Sequence, residues 1–292
     1  MNAAPFFGVV DIGNSGIKAS LVETATHKLV GGIQSIHWRL PADQNKSPPS
    51  EFSGVGSIWA SMDDVEAMVR MIEAMKTILD ERDQKILWRI SSVQPHALAT
   101  LVGCFSKRFS GDSSLTISHR DIPLKCNVDS PENVGIDRLL AAWGAWIAND
   151  KKGPLIVIQA GTAVTVDWVN VLGEYCGGAI LPGLSLTLKY LALGTAHLPW
   201  LAPPKDPRDL ALPGRNTCEA ILAGVTASFI GGIELLQCRY REQYSGNADE
   251  IQTIVSGGDG LTLSRSISSP FKIVDHLVLY ALANTASLER LS

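Results

Sequence analysis

Gly8-Val9-Val10-Asp11-Ile12-Gly13-Asn14-Ser15-Gly16-Ile17-Lys18 returns in altered form as Leu155-Ile156-Val157-Ile158-Gln159-Ala160-Gly161-Thr162-Ala163-Val164-Thr165-Val166-Asp167. Each version is an apolar run ending in a polar side chain, a glycine and a small hydrogen-bonding residue, followed by a run of partly alternating character. The spacing predicts two strand–turn–strand hairpins. Glycine at such a turn lets backbone N–H groups approach phosphate oxygens. A neighbouring carboxylate can hold Mg²⁺ directly or through water, and Asn, Ser or Thr donates hydrogen bonds. Two such hairpins suit two facing phosphate loops, and the chemistry they point to is phosphoryl transfer from ATP.

Size and charge agree with that direction. A chain of 292 residues can bury one large core or two modest ones, and the duplicated hairpin favours two. The 25 basic and 29 acidic residues give a net charge of −4, which leaves no footprint for nucleic acid or an anionic membrane. Small-molecule partners are expected instead. The start, Met1-Asn2-Ala3-Ala4-Pro5, lacks a basic n-region, and no segment is read as approaching the roughly 20 apolar residues of a membrane span. Cys104, Cys126, Cys176, Cys218 and Cys238 are odd in number and widely spaced. They read as buried thiols in a reducing cytoplasm, with neither zinc nor disulfides indicated.

Outward from the first hairpin, 28–40 reads as further strand, 41–57 as a Pro- and Gly-rich loop, and 62–79 as a helix with Val65, Met68, Val69, Ile72, Met75 and Leu79 at helical spacing. A strand at 85–93, a helix at 95–109 and a short strand at 115–118 complete a ribonuclease-H-like order. The second half begins again with a meander over 155–181, helices near 184–193 and 217–240, a strand at 251–255, a helix start at 260–266 and a closing helix at 277–288. The expected architecture is α/β: two related ribonuclease-H-like domains, over 1–122 and 123–292, with a cleft between them.

Four constellations can carry chemistry, and each also has a plain structural reading. Asp11-Ile12-Gly13-Asn14-Ser15 is either a metal-organising phosphate loop or a polar hairpin turn, and Lys18 either reaches a phosphate or is a solvated strand lysine. Gly135-Ile136-Asp137-Arg138 opens a helix whose buried stripe is expected to be Ile136, Leu139, Leu140, Trp143 and Ile147. Asp137 can accept a hydroxyl proton while Arg138 binds an anionic group, or the two are a dipole-complementing Asp and a solvated Arg. Gly161-Thr162-Ala163 gives the second loop, with Thr165 and Asp167 on one face of the strand that follows. Ser256-Gly257-Gly258-Asp259-Gly260 offers flat backbone for a base or ribose, or a strand-to-helix turn capped by Asp259.

In order, Asp-x-Gly-Asn-Ser at 11–15, Gly-x-Asp-Arg at 135–138, Gly-Thr-Ala at 161–163, Gly-Gly-x-Ile-x-Pro-Gly at 177–183 and Ser-Gly-Gly-Asp at 256–259 resemble the type III pantothenate kinases. Thr195-Ala196-His197-Leu198-Pro199 and Asn216-Thr217-Cys218-Glu219-Ala220-Ile221 extend the resemblance over nearly the whole chain. It implies an actin-like enzyme that phosphorylates pantothenate with ATP in the first step of coenzyme A synthesis, as a homodimer using Mg²⁺ and a monovalent cation, K⁺ or NH₄⁺. It also implies roles for individual residues. Asp11 would organise metal and phosphate together with Gly13, Asn14, Ser15 and Lys18, and Asp137 would be the base. Gly135 and Arg138 would contact pantothenate, Gly161 and Thr162 the phosphates, Gly257 and Gly258 the adenosine side, and Thr217 the substrate across the dimer interface.

The chain departs from the family pattern twice. Gln159 stands where the family has aspartate, which removes a negative charge from the expected metal site. Val128 occupies a substrate-contact position that is often aromatic. The first departure motivates an alternative, a non-catalytic nucleotide- or pantothenate-binding regulator; a kinase for another small hydroxy acid is a third reading.

Overall fold

The structure, a computed structural model, describes residues 4–38, 62–78, 85–109 and 111–285. The loop expected at 41–57, the end of the helix at 79 and the last residues of the closing helix lie outside these. Two compact units form. One comprises residues 1–123, 132–140 and 278–292, and the other residues 124–131 and 141–277.

In the first unit, β1 (Phe6–Ile12), β2 (Gly16–Glu23) and β3 (Leu29–His37) form an antiparallel meander. Helix α1 (Met62–Ile78), β4 (Leu87–Ser92), α2 (Pro95–Arg108) and β5 (Ser113–Thr116) follow. The sheet order is β3-β2-β1-β4-β5, with β4 parallel to β1 and β5 parallel to β4. β1 is central and buried on both faces, which is why it reads as a continuous apolar run, whereas edge strand β3 is half-buried to exposed along its length. Met68, Val69, Ile72 and Met75 of α1 pack with Ile12, Ile17, Trp88, Leu101 and Phe105 in one core. The apolar spacing of α1 is therefore a core face. α2 begins with Pro95 at its first position and ends with Lys107 and Arg108, as the helix dipole favours.

Two buried charges tie this unit together. Asp112, with only 1% of its side chain exposed, accepts hydrogen bonds from Lys76 Nζ at 2.8 Å, Ile86 N at 3.1 Å and Trp88 Nε1 at 2.9 Å. Arg89 on β4 has no carboxylate partner among the described residues. Its Nη1 donates to the Leu282 and Thr285 carbonyl oxygens at 3.0 and 2.8 Å, and its guanidinium lies 4.1 Å from the Phe7 ring centroid. Burial lowers its pKa to about 10. His27, at φ 56°, places Nδ1 2.6 Å from the Ala283 carbonyl oxygen. The closing segment of the chain is thus held through its terminal carbonyls.

The second unit repeats the plan. β6 (Leu155–Ala160), β7 (Ala163–Val169) and β8 (Tyr175–Pro182) form the meander. After α4 (Leu184–Leu193) and α5 (Thr217–Gln243) come β9 (Gln252–Ser256), α6 (Gly260–Ser264) and β10 (Lys272–Ile273). The order β8-β7-β6-β9-β10 matches the first sheet strand for strand, including the antiparallel and parallel pairings. β10, two residues long, was not expected from the sequence. Asp167 is fully buried and accepts a hydrogen bond from the Tyr175 hydroxyl at 2.8 Å, so this carboxylate is occupied inside the sheet.

Three sequence expectations need correction. Helix α3 (Ile136–Ala148) does not bury a single stripe: Ala141, Ala142, Ala145 and Trp146 are buried with Leu139, Leu140 and Trp143, while Ile147 is only half-buried. Small residues on the remaining faces let neighbouring elements close over it. The five cysteines are free thiols but not buried ones; Cys218 and Cys238 are exposed and the other three half-buried. Finally, α5 is long and apolar enough to cross a membrane, with mean hydropathy 1.6 over its most apolar window, a third of which is buried. Ile221, Val225, Phe229 and Ile233 supply the buried face, and all four belong to the core of this unit.

Replacing Asp112 by alanine leaves the Lys76 ammonium and the Trp88 indole N–H buried without their acceptor. This should cost about 3–5 kcal/mol, read as a lower urea midpoint by tryptophan fluorescence.

Candidate active site

β1 delivers Asp11 as its penultimate residue, between Lys18 on β2 and Ser91 on β4. The turn that follows is pinned from several directions. Gly13 N–H bonds the Gly16 carbonyl at 2.9 Å, Trp38 Nε1 donates to the Gly13 carbonyl at 3.1 Å, and Trp38 N–H reaches the Ser15 carbonyl at 3.0 Å. Gln94 Nε2 donates to Asn14 Oδ1 at 3.3 Å. A Cβ on Gly16 would sit 2.3 Å from the Ile36 carbonyl oxygen, so only glycine fits beside β3. Trp38 and Gln94 were not singled out from the sequence. Their only signal is position, a tryptophan just after β3 and an amide just after β4, and it has no meaning until the sheet brings both strand ends to the 13–16 turn.

Residues 132–140 fold with this same unit, so Asp137 and Asp11 share it. Gly135 caps α3 by accepting from Arg138 N at 3.0 Å and Leu139 N at 3.2 Å. A Cβ on Gly135 would lie 2.6 Å from Asp137 Oδ1, so its lack of a side chain leaves room for the carboxylate. Asp137 Oδ1 in turn accepts from Arg138 N at 2.9 Å. The preceding Val134 carbonyl oxygen lies 2.7 Å from His119 Nε2. Burial raises the Asp137 pKa, opposed by the hydrogen bond and charge of Arg138. Asp11 is pushed up to about 7, first by burial and then by the Asp137 charge, with Lys18 working in the opposite sense. Lys18 is half-buried opposite Asp11 rather than solvated.

A carboxylate whose ionisation is opposed by burial and by a second carboxylate's charge, as that of Asp11 is, is a place where a divalent cation is favourable. Mg²⁺ binds through one or two carboxylates with phosphate and water oxygens completing its shell. Among the described residues no three metal-ligating side chains cluster, and Asp11 with Asp137 would hold a divalent cation as a pair. The pair fits Mg²⁺ in that mode.

The second unit carries its own turn. Gly161 N–H bonds the Ala163 carbonyl at 3.2 Å, and Gly183 N–H bonds the Thr162 carbonyl at 2.9 Å. A Cβ on Gly183 would sit 2.1 Å from the Gly161 carbonyl oxygen, which brings the start of α4 directly against the 161–162 turn. This close approach depends on the register of β8 against β7, in which Pro182 pairs with Ala163. Gly257, at φ 99°, would place a Cβ 2.1 Å from the Ala160 carbonyl oxygen, while Asp259 N–H bonds that oxygen at 3.1 Å. The Gly257-Gly258 turn is therefore packed on the end of β6. Asp259 precedes α6 but makes no side-chain cap, contrary to the capping alternative, and burial raises its pKa. Thr217 is the exposed first residue of α5, whose cap is Asn216 Oδ1 accepting from Glu219 N at 3.0 Å. Val128 lies beside β8, with Cγ1 3.6 Å from where a Gly177 Cβ would be.

Each unit thus presents a glycine turn at the same end of a duplicated sheet. The sequence profile described as type III pantothenate kinase matches residues 9–238 of the chain. The chain belongs to the type III pantothenate kinase family. A type III pantothenate kinase from Rhodopirellula baltica is 33% identical over 287 residues, covering 94% of this chain and 96% of its own length. One from Desulfotalea psychrophila is 29% identical over 257 residues, covering 86% of each. Among solved structures, the ethanolamine utilization protein EutJ from Carboxydothermus hydrogenoformans superposes with a TM-score of 0.50 at 14% identity, over 98% of this chain and 91% of that one. That likeness is one of fold, the actin-like architecture that the family resemblance implies. Type III pantothenate kinases are ATP-dependent phosphotransferases of coenzyme A biosynthesis, and the chain is an enzyme of that class.

The raised Asp11 pKa has a sign that can be checked. Between about pH 4 and about pH 7 the unfolded chain ionises Asp11 while the folded chain resists, so the fold loses stability as pH rises through that window. Asp11→Asn removes this loss. Without metal, its stability relative to the natural chain should improve by about 1–3 kcal/mol between pH 4 and pH 8, measured by urea denaturation.

Proposed function

We propose that the chain phosphorylates the primary hydroxyl of pantothenate with ATP, giving 4′-phosphopantothenate and ADP, with Asp137 as the general base. What carries this reading is that Asp137 and Asp11 belong to one unit, with the Asp137 charge acting on Asp11 at the end of β1 beside a glycine turn. Asp137 accepts the hydroxyl proton as the oxygen bonds to the γ-phosphorus and the bond from that phosphorus to the β–γ bridging oxygen breaks. A carboxylate whose pKa is raised by burial is a better acceptor near neutral pH than an exposed one. Mg²⁺, held by Asp11, would supply charge neutralisation on the transferring phosphoryl oxygens.

The remaining roles follow from chemistry at each position. Arg138, next to the base and fixed in the first turn of α3, is suited to the pantothenate carboxylate, with Gly135 leaving space beside it and Val128 as an apolar contact. Gly13, Asn14, Ser15 and Lys18 are suited to phosphate in the first unit, and Gly161 and Thr162 in the second. Gly257 and Gly258, bare of side chains, suit the adenosine. With purified protein, pantothenate, ATP and Mg²⁺, product formation should be readily detected, and Asp137→Asn should lower kcat by roughly 10²–10⁴-fold. ATP and pantothenate binding without turnover in the natural chain would instead establish the regulatory reading that Gln159 motivates.

The homodimer belongs to the same reading. One face of α5 exposes Ala220, Gly224, Ala227, Gly231 and Leu235, a run of small residues ending in a leucine that is 57% exposed. The same unit also exposes Ile180, Tyr190, Trp200 and Leu212. Pairing of this face with a second copy would bury it and leave Thr217, at the start of α5, near the partner's substrate. Light scattering should give a mass near twice 31.3 kDa. Gly231→Arg should return the monomer mass while preserving the far-ultraviolet circular dichroism.

A further inference from the structure

β6 repeats the end of β1 position by position, and the repetition isolates one chemical difference. Asp11 and Gln159 are each the penultimate residue of the central strand, and each lies two residues before the turn glycine. On the parallel neighbour each faces a serine, Ser91 on β4 and Ser256 on β9. On the antiparallel neighbour Asp11 faces Lys18, whereas Gln159 faces Thr165. The carboxylate and ammonium of the first unit are replaced together, by an amide and a hydroxyl.

The donors at this end of the second sheet do not fit a cation site built on charge. Gln159, Thr162, Thr165 and Ser256 are all neutral, and the Ser256 hydroxyl accepts from Leu277 N at 3.4 Å. The Thr165 hydroxyl is buried and has no partner among the described residues. Asp259 is the carboxylate on the turn after β9, and its backbone N–H is engaged by the Ala160 carbonyl. A carboxylate at position 159 would repel a polyphosphate and would require a cation between them. An amide places no charge there, and its NH₂ can itself donate to a phosphate oxygen.

We propose that Gln159 lets the 159–162 turn take the nucleotide's phosphates directly, through its amide and the Thr162 hydroxyl, so that nucleotide binding by this chain needs no monovalent cation. This rests on the kinase reading above and singles out Gln159 as the residue that sets the ionic requirement. The position that pairs with Gln159, as Lys18 pairs with Asp11, is the neutral Thr165.

The test is calorimetric and independent of turnover. Mg²⁺–ADP is titrated into the protein in choline chloride and in potassium chloride at equal ionic strength. The two dissociation constants should agree within about twofold. Gln159→Asp should weaken binding by roughly tenfold or more in choline and recover in potassium. A gain of roughly tenfold in the natural chain on adding K⁺ would overturn the proposal, and loss of that gain in Asp259→Asn would assign the cation to Asp259. The comparison on the natural chain stands whether or not either variant folds. Absence of ADP binding in both buffers would overturn the kinase reading, and this inference with it.

Discussion

A central strand held between an antiparallel hairpin partner on one side and a parallel strand on the other sets the chemistry of both units. In the first unit β1 lies between β2 and β4; in the second β6 lies between β7 and β9. The two sets of hydrogen bonds fix the register from both sides, and the period of two along a strand means that a slip of one residue would turn every side chain to the opposite face. Asp11 reaches the strand end beside Lys18 and Ser91 only in this register, and the close approaches of Gly16 to β3 and of Gly183 to the 161–162 turn depend on it too. Each turn is closed by a backbone hydrogen bond, from Gly13 N–H to the Gly16 carbonyl in the first unit and from Gly161 N–H to the Ala163 carbonyl in the second.

Once the turns are placed, electrostatics distinguishes them. In the first unit two half-buried carboxylates, Asp11 and Asp137, are kept near each other with Lys18 and Arg138 alongside. That arrangement makes ionisation of Asp11 costly. The turn of the second unit has no comparable charge, and its contribution is hydroxyl, amide and backbone. A duplicated scaffold therefore carries a charged strand end in one unit and a neutral one in the other.

The second unit also shows how one helix can satisfy two demands. α5 buries Ile221, Val225, Phe229 and Ile233 in its own core and turns small residues outward. Its apolarity is thus divided between an internal face and an external one. This is why a helix with the length and hydropathy of a membrane span has a core-facing stripe at helical spacing.

Much of this was legible in the chain itself. The hairpins, the helices at 184–193 and 217–240 and the ribonuclease-H-like order follow from local periodicity, glycine placement and caps, all of which act over a few residues. The family, too, could be read from ordered motifs. What could not be read was everything that joins distant positions: the grouping of residues 132–140 with the first unit, the pinning of the 13–16 turn by Trp38 and Gln94, the carbonyl clamp of Arg89, and the burial of α3 on several faces. Asp11, Asp137 and Gln159 stand out in the sequence by their motifs. Their protonation and their neighbours were decided only by tertiary structure, because desolvation and Coulomb interaction depend on which atoms surround a group in space, not on which residues flank it in sequence.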